Sequence, residues 1–362
     1  MKPVGIHDLA RLAKVSIGTV DRALHGRAGI SEATREKVLR IAKKLGYTPN
    51  QAARALSVRR STLRVGVCIP EEIHFFYDQM RAGIKDEARR GQSLGVEFIY
   101  RPVPKLGEDE KRQVTVLLRE KLHALVIVPG NPKVVTPLID KAEAGGVRVV
   151  CISTDAPLSR RSTVVCVNPE LNGRLAAELM AKFVPPQAEV AVITGMLATE
   201  DHRKKTEGFQ AGFATYSARG RVVAVLEAHE LEEESYKKTC ELLVREKQLC
   251  GIYVNTVNCL PVCRAVHEHG RSRQLRLITT DLFQQMVPFI ENGTIGASVY
   301  QDPYRQGRDA IRIVLDHLLE KAAIAPANYL NPAIVLRSNL HLFREVAGSF
   351  PTPEFGRARR SS

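Results

Sequence analysis

Apolar residues recur at helical spacing through the first 45 positions and form three short stripes. The stripes consist of Ile6, Leu9, Ala10 and Ala13, then Val20, Ala23 and Leu24, and finally Val38, Ile41, Ala42 and Leu45. Spacings of three and four residues are typical of one apolar helix face. Ser16 and Ser31 precede the second and third stripes and offer N-cap hydroxyls. Because such short helices cannot bury their faces alone, the pattern predicts a three-helix bundle.

A different pattern begins at Leu63, where runs of Val, Ile and Leu predict strands and amphipathic stretches predict helices. The predicted strands are 63–69, 96–100, 124–128 and 147–153 in a first set, and 189–194, 221–226, 251–255 and 275–279 in a second. The predicted helices are 75–93, 108–121, 132–145, 170–183, 203–217, 233–246 and 260–269. This alternation indicates parallel sheets covered on both faces. We therefore predict an α/β core of two lobes, with short segments near 295–300 and 333–337 crossing back.

The formal net charge of +14 is concentrated near the N-terminus. Residues 1–64 contain 14 lysines and arginines against four acidic residues, a net charge of +10. A basic excess on a small helical bundle is typical of a surface that binds nucleic-acid phosphates. Bundle and charge together favour a helix-turn-helix, whose second helix enters the major groove of DNA.

The remaining composition is that of an ordinary globular protein, with 44% hydrophobic and 25% charged residues. No apolar run approaches the roughly 20 residues that span a bilayer, and the N-terminus lacks the layout of a signal peptide. We expect a cytoplasmic protein with no membrane partner. Among seven cysteines, Cys259 and Cys263 have a spacing compatible with a metal clip. Small buried hydrophobes in a reducing compartment fit better, so we expect neither a metal nor a cofactor.

Three motifs in one register resemble the LacI/GalR family of bacterial transcription regulators. They are Val-Ser-Ile-Gly-Thr-Val-Asp-Arg-Ala-Leu at 15–24, Thr-Arg-Glu-Lys-Val at 34–38 and Gly-Tyr-Thr-Pro-Asn-Gln-Ala-Ala-Arg-Ala-Leu at 46–56. The resemblance implies a multidomain protein: an all-α helix-turn-helix head and a two-lobed α/β core like periplasmic sugar-binding proteins, with parallel sheets. The expected bounds are 1–48 for the head, 49–62 for a hinge, 63–345 for the core and 346–362 for a disordered tail. Within the core, we expect one lobe over 63–165 plus 296–325 and the other over 166–292 plus 330–345.

The resemblance assigns DNA-reading roles to the second helix. Ile17, Gly18 and Arg22 occupy positions that face base edges in the family. Arg22 can donate a bidentate pair to guanine, and Ile17 offers an apolar contact, whereas Gly18 offers none. Ser16 and Thr19 are expected to hold phosphates, which position the helix without reading sequence.

The hinge is predicted to contain a short helix over 51–56, capped by Asn50. A helix of this length is not stable alone in water, so it should form only against DNA or a partner subunit. The alternative is a plain basic linker. The resemblance favours paired hinge helices of a homodimer in the minor groove, with Leu56 as a wedge between base steps and Ala53 allowing close approach. Arg54 and Asn50 are candidates for backbone contacts, although Asn50 could serve purely as a cap.

Polar and aromatic residues near the predicted strand ends indicate a ligand site in the core. Ligands of parallel α/β sheets bind beyond the carboxyl ends of the strands. The candidates are Phe75, Phe76, Asp155, Arg203, Asn255, Asp281 and Gln301. Carboxylates, amides and an arginine can pair with adjacent hydroxyls, and related proteins stack aromatics on a sugar ring. Individually, the Asp and Asn residues could instead be helix caps. Together they match a ribose-binding-like layout, and we expect a sugar, sugar-derived acid or polyol in the cleft.

These observations predict a DNA-binding transcriptional regulator, a repressor in most relatives, that binds a palindromic operator as a homodimer and responds to a sugar-like effector. A sugar-modifying enzyme fused to a helix-turn-helix head is the alternative. Such an enzyme needs a phosphate-cradling loop, and neither GxxxxGK[ST] nor a GxGxxG opening a helix occurs in the sequence. GxSxG and HExxH are likewise missing from it. We therefore expect no enzymatic activity.

Overall fold

The structure, a computed structural model, describes residues 6–24, 29–45 and 62–343. They form two compact units, a head that ends at Thr62 and a core that begins at Leu63. The head contains helices α1 (Ile6–Ala13), α2 (Ile17–Leu24) and α3 (Glu32–Lys44). Lys14 is left-handed, and the Val15 N–H returns to the Ala10 carbonyl at 3.0 Å. This C-cap ends α1 and turns the chain into α2.

The three predicted apolar stripes form the core of the head. Buried or half-buried residues of all three helices pack together: Leu9, Ala10, Ala13, Val20, Ala23, Leu24, Val38, Ile41, Ala42 and Leu45. Both predicted N-caps are present, since Ser16 Oγ accepts the Thr19 N–H at 3.1 Å and Ser31 Oγ accepts the Thr34 N–H at 3.3 Å. The helical prediction for the head is therefore confirmed in its described residues.

The first lobe of the core is built on a six-stranded parallel sheet. Its elements before the first crossing are β1 (Leu63–Cys68), α4 (His74–Ser93), β2 (Val96–Tyr100), α5 (Glu110–Leu117), β3 (Ala124–Ile127), α6 (Pro132–Ala144), β4 (Arg148–Ile152) and β5 (Thr163–Val167). Every residue of β3 and β5 is buried. Continuous burial along a strand requires packing on both sheet faces, as the apolar runs predicted.

The second lobe repeats the arrangement. Its elements are α7 (Pro169–Phe183), β6 (Glu189–Thr194), α8 (Glu200–Tyr216), β7 (Arg221–Glu227), α9 (Glu232–Arg245), β8 (Leu249–Val254), α10 (Cys259–Glu268), β9 (Arg276–Thr280), α11 (Val287–Glu291) and β10 (Ile295–Tyr300). Helices α7 and α8 approach closely at Gly173. A Cβ at this position would overlap the Lys205 carbonyl oxygen, so only glycine allows the approach. That contact holds the first turns of α8 in place.

The chain then returns to both lobes through α12 (Pro303–Glu320), β11 (Asn328–Leu330) and β12 (Ala333–Val335). The first sheet has the order β11-β5-β4-β3-β1-β2, and the second has the order β12-β10-β9-β8-β6-β7. Within the second sheet, β12 pairs antiparallel with β10, and the other pairings are parallel.

The expected lobe boundaries near the C-terminus differ from the structure. The segment 296–325 is expected in the first lobe from the sequence. Its opening strand β10 instead pairs with β9 in the second sheet. Only the later part follows the expectation, since α12 packs on β3, β4 and β5. Leu330, expected in the second lobe, pairs with Val167 in the first sheet. Short apolar segments fit either sheet, and long-range pairing selects one.

Most of the cysteines lie in the apolar core of the two lobes. Cys68, Cys151, Cys166, Cys259 and Cys263 are buried. Burial raises the pKa of Cys263 to about 12, so this thiol stays protonated near neutral pH and behaves as the small hydrophobe expected from the sequence. Among the described residues, no helix combines the length and apolar character needed to cross a membrane.

Candidate functional site

The outer face of α2 is the candidate DNA-reading surface. Ile17 is 42% exposed, and Ser16, Gly18 and Arg22 are exposed as well, whereas Thr19 is half-buried. The Arg22 Nη2 atom lies 3.8 Å from the position that a Cβ on Gly18 would occupy. Position 18 and the guanidinium therefore share one surface at the start of the helix. The predicted contacts Asn50, Ala53, Arg54 and Leu56 lie outside the described residues, as do residues 49–61 of the hinge and the whole tail.

Arg22→Ala is expected to relax base preference at one operator position. Loss of a bidentate guanine contact removes about 1–3 kcal/mol of discrimination at that base pair. Selection from a randomised site library with the wild type and the variant measures this directly. Arg40→Ala, which removes an exposed cation on α3, is the control and should weaken binding evenly across sequences. If the Arg22→Ala variant selects the same sites as the wild type and the Arg40→Ala control, Arg22 has no role in base readout.

The second candidate site is a cavity between the two lobes of the core. Four of the seven predicted ligand residues line it: Phe76, Asn255, Asp281 and Gln301. Asn255 directly follows β8, Asp281 directly follows β9, and Gln301 directly follows β10. Because these strands are parallel neighbours, their carboxyl ends converge on one edge of the second sheet. The structure therefore brings these three predicted residues together at the carboxyl ends of their strands.

The other three predicted residues are not among the cavity-lining residues. The Phe75 ring stacks on Phe283 with centroids 4.0 Å apart. Asp155 forms a bidentate ion pair with Arg161. The Arg161 Nε donates to Asp155 Oδ1, and its Nη2 donates to Oδ2 at 2.6 Å. Arg203 forms ion pairs with two glutamates of α8. Its Nη2 donates to Glu200 at 2.5 Å, and its Nη1 donates to Glu207 at 2.6 Å. Asp155 and Arg203 are therefore paired within their own lobes, and Phe75 contacts a ring of the other lobe.

The structure adds polar cavity residues that were not among the predicted ligand residues. They are Ser153, Thr154, Thr199, Asp201, His202, Lys205, Glu230 and Thr256. Asp201, Lys205 and His202 line the cavity and fall within about 100° of the circumference of α8. Arg203 lies about another 100° around the helix, beyond this face. The Asp201–Lys205 spacing was a usable signal, since an i,i+4 pair shares a helix face.

Lys205 is a buried cation. Its Nζ donates to Asp201 Oδ2 at 2.6 Å, and only 2% of the residue is exposed. A charge this deep in a protein requires a partner of opposite charge. The pair joins the first and second turns of α8 and forms one wall of the cavity.

Glu230 and His202 form a second buried pair. His202 Nδ1 accepts the Met196 N–H at 3.0 Å, so the ring proton sits on Nε2, which lies 3.0 Å from Glu230 Oε1. A Cβ at Gly195 would overlap both side chains, so glycine is required there. Burial alone would raise the pKa of Glu230, but His202, the Thr256 hydroxyl and nearby cationic charge outweigh it and lower that pKa.

Asp281 is the third carboxylate of the cavity. Gln301 Nε2 donates to Asp281 Oδ1 at 2.9 Å. Burial raises the pKa of Asp281 to about 6; Lys205 and the Gln301 amide oppose this shift, and Asp201 adds to it. The carboxyl group is therefore mostly ionised at pH 7.

Backbone strain is concentrated around the cavity. Four of its lining residues have positive φ: Ile73 at 56°, Ser153 at 69°, Glu230 at 57° and Asp281 at 69°. For non-glycine residues this left-handed conformation costs about 1–3 kcal/mol and is enriched at functional sites. It is unusual above all for a β-branched residue such as Ile73. The surrounding structure holds these four residues in place so that their side chains reach the cavity.

The lobes are closed over the cavity in this structure. Thr199 Oγ1 donates to the Gly130 carbonyl at 2.7 Å, and the Asp201 N–H donates to Thr154 Oγ1 at 3.1 Å. The cavity between the lobes has a volume of about 40 Å³ and is partly open to solvent. One water needs about 10–15 Å³ on this scale, so the closed arrangement has room for a few waters, and a larger ligand enters only if the lobes separate.

Comparisons with known proteins agree with both units. Residues 5–50 match the family described as bacterial regulatory proteins of the lacI family, and residues 65–322 match a periplasmic binding protein domain. Catabolite control protein A of Staphylococcus epidermidis is 42% identical over 310 residues, covering 81% of this chain and 90% of that protein. The HTH-type transcriptional regulator DegA of Bacillus subtilis is 25% identical over 206 residues, covering 57% and 59%.

Solved structures show the fold of the core. GanP, a glucose-galactose binding protein from Geobacillus stearothermophilus, covers 77% of this chain and 99% of its own, with a TM-score of 0.72 and 23% identity. A solute-binding protein from Bacillus halodurans with bound myo-inositol covers 79% and 98%, with a TM-score of 0.72 and 16% identity. With its helix-turn-helix head and two-lobed core, the chain belongs to the LacI family of bacterial transcription regulators.

Proposed function

We propose that this regulator is a cytoplasmic repressor that binds a palindromic operator as a homodimer and is controlled by a sugar-like effector in the interlobe cavity. The cavity carries the proposal, because it combines buried polar side chains with an aromatic wall at the converging strand ends of two lobes. Pockets of this kind bind small polar ligands. The exposed face of α2 supplies the surface for DNA.

Lobe movement is the proposed link between effector and operator. The closed form is held by the Thr199 and Asp201 hydrogen bonds and by the stack of Phe75 on Phe283. A ligand larger than the 40 Å³ cavity binds a more open arrangement better than this one. A ligand that discriminates between two arrangements shifts their populations, and operator affinity changes by the same coupling free energy.

A sugar-like effector is supported by what similar proteins bind. Solute-binding proteins with this fold have been solved with D-arabinose and with myo-inositol, and another is named for glucose and galactose. In the present chain, Asn255, Asp281 and Gln301 offer the carboxylate and amide groups that pair with hydroxyls. We extend the polyhydroxylated ligand class to this cavity on those grounds.

The test begins with selection of binding sites from random DNA by the full-length protein. We expect a palindromic site, bound by a dimer in sedimentation, and reduced transcription from a promoter that contains it. Fluorescence anisotropy with that site should then show a change of about 5–150-fold in affinity when the correct sugar or polyol is added.

A matched pair of variants assigns the response to the cavity. Gln301→Ala should lose the sugar response and keep its operator affinity, whereas Gln274→Ala, an exposed position outside the cavity, should keep both. A monomer on a non-symmetric site would contradict the proposed assembly. No response to any sugar or polyol in a broad panel would contradict the proposed effector class.

A further inference from the structure

The cavity has an excess of negative charge. Three carboxylates line it, Asp201, Glu230 and Asp281, and Lys205 is the one ammonium group among the described lining residues. His202 faces Glu230 through Nε2, and burial alone would lower the pKa of His202, but this carboxylate outweighs burial and raises that pKa. No arginine occurs among the described residues that line the space. After the Lys205–Asp201 pair is counted as neutral, the Asp281 carboxylate and the Glu230–His202 pair leave an excess of negative charge in the cavity.

The unpaired polar atoms of the cavity are hydrogen-bond acceptors. Asp201 Oδ1 and Asn255 Oδ1 are buried and have no hydrogen-bond partner in the described part of the chain, and the two residues are 8% and 1% exposed. Neighbouring donors are already used inside the protein: Asn255 Nδ2 donates to Thr206 at 2.9 Å, and Thr256 Oγ1 donates to Glu230 at 2.6 Å. Unpaired buried acceptors are costly, so the site is complementary to a ligand that brings donors.

Aromatic side chains complete the arrangement. The rings of Phe76 and Tyr77 both line the cavity and are packed edge to face with centroids 5.1 Å apart. The face of an aromatic ring attracts cations, more strongly where water is excluded. Carboxylates together with neighbouring aromatic residues form an environment that suits an ammonium group.

Resting on the proposed function, we infer that the effector of this cavity carries a protonated amine, as in an amino sugar, and that sugar acids and sugar phosphates are excluded. The ammonium supplies up to three donors and one positive charge in a compact group. An anion brings neither and would add to the uncompensated charge. The sequence is compatible with a sugar, a sugar-derived acid or a polyol. The inference excludes the acid and makes neutral sugars and polyols weaker ligands than an amine.

Matched ligand pairs test the inference on the full-length protein. The panel contains glucosamine with glucose, galactosamine with galactose and mannosamine with mannose, with N-acetylglucosamine, gluconate and glucose 6-phosphate as the uncharged amide and the two anions. Thermal shift identifies binders, and calorimetry measures Kd at pH 7. We expect at least one amine to bind about 30-fold tighter than its hydroxyl partner, a factor near the lower end of the range for close charge pairs.

Two carboxylate variants connect that preference to the cavity. Asp281→Asn and Glu230→Gln should each weaken binding of the amine more than binding of its hydroxyl partner, and so remove most of the amine preference. Glu241→Gln, an exposed carboxylate on α9, should change neither. Circular dichroism of the unliganded variants shows whether each is folded, and preference is compared only between folded proteins.

The outcomes separate this inference from the proposed function. Equal or tighter binding of the hydroxyl partners, or binding of gluconate or glucose 6-phosphate, overturns the ammonium inference and leaves the sugar effector standing. Preference retained in both folded carboxylate variants also overturns it. If no amine, sugar or anion in the panel is bound, the inference fails together with the sugar-like effector.

Discussion

Lys205→Met should lower the free energy of unfolding by about 3–5 kcal/mol, because it leaves the Asp201 carboxylate buried without its cation. Methionine keeps the length of the side chain, so the lost charge is the main change. Asp201 is 8% exposed and its second oxygen has no hydrogen-bond partner in the described structure, so little compensation is available. Chemical denaturation at pH 7 gives the value. Adding Asp201→Leu to Lys205→Met should restore most of the lost stability, since replacing both members of a buried ion pair by apolar residues of similar volume is often nearly neutral.

The neighbouring lysine provides the control for this prediction. Lys204 forms an ion pair with Glu207 at 3.1 Å, and its side chain is 35% exposed. Lys204→Met should cost less than about 1 kcal/mol because exposed ion pairs contribute little. If Lys205→Met is no more destabilising than Lys204→Met, the buried pair does not have the role described for it.

Glu110→Ala is expected to cost about 3 kcal/mol or more. The buried carboxylate accepts backbone N–H groups from Gly130 at 2.6 Å, Asn131 at 3.1 Å and Gly107 at 3.2 Å. Burial raises the pKa of Glu110, although these three donors oppose the shift. Removing the carboxylate leaves the Asn131 and Gly107 N–H groups unpaired and leaves the Gly130 N–H only its 3.1 Å bond to the Val128 carbonyl. Each lost partner of a buried group costs about 1–3 kcal/mol. Denaturant unfolding measures the loss.

The same loop contacts the second lobe, because the Gly130 carbonyl accepts the Thr199 hydroxyl. Glu110→Ala should therefore also loosen lobe closure, seen as faster amide exchange at Gly130. Glu108→Ala, two residues earlier and exposed, should stay within about 0.5 kcal/mol of the wild type. Equal stability of the two alanine variants would show that the loop does not depend on the carboxylate.

Part of the cavity was predictable because its residues are placed by strand ends. Asn255, Asp281 and Gln301 each follow a strand that the apolar pattern indicates, and parallel strands bring their carboxyl ends together. Asp155 also follows a predicted strand, yet its side chain turns to Arg161 six residues later. The strand-end rule selects the edge of the sheet and does not select the partner of each side chain.

Helix phase and long-range pairing account for most of the remaining differences. Arg203 was predicted for the cavity, but His202 and Lys205 occupy the inward face of α8. That phase depends on the contact of α8 with Gly173 in α7. Glu230 follows β7 on a left-handed turn and meets His202 across 28 residues of chain. Residues this distant in sequence have no local signal that pairs them.

By itself, the sequence determined the helices and caps of the head, the alternation of strands and helices in the core, and membership of the LacI family. These properties depend on spacing over a few residues or on motifs in one register, and both can be read without coordinates. The tertiary structure alone decided that β10 belongs to the second sheet, that Leu330 pairs in the first, and which side chains face the cavity. Those outcomes depend on free-energy differences between alternative long-range packings, and a local pattern of apolar and polar residues does not distinguish such packings.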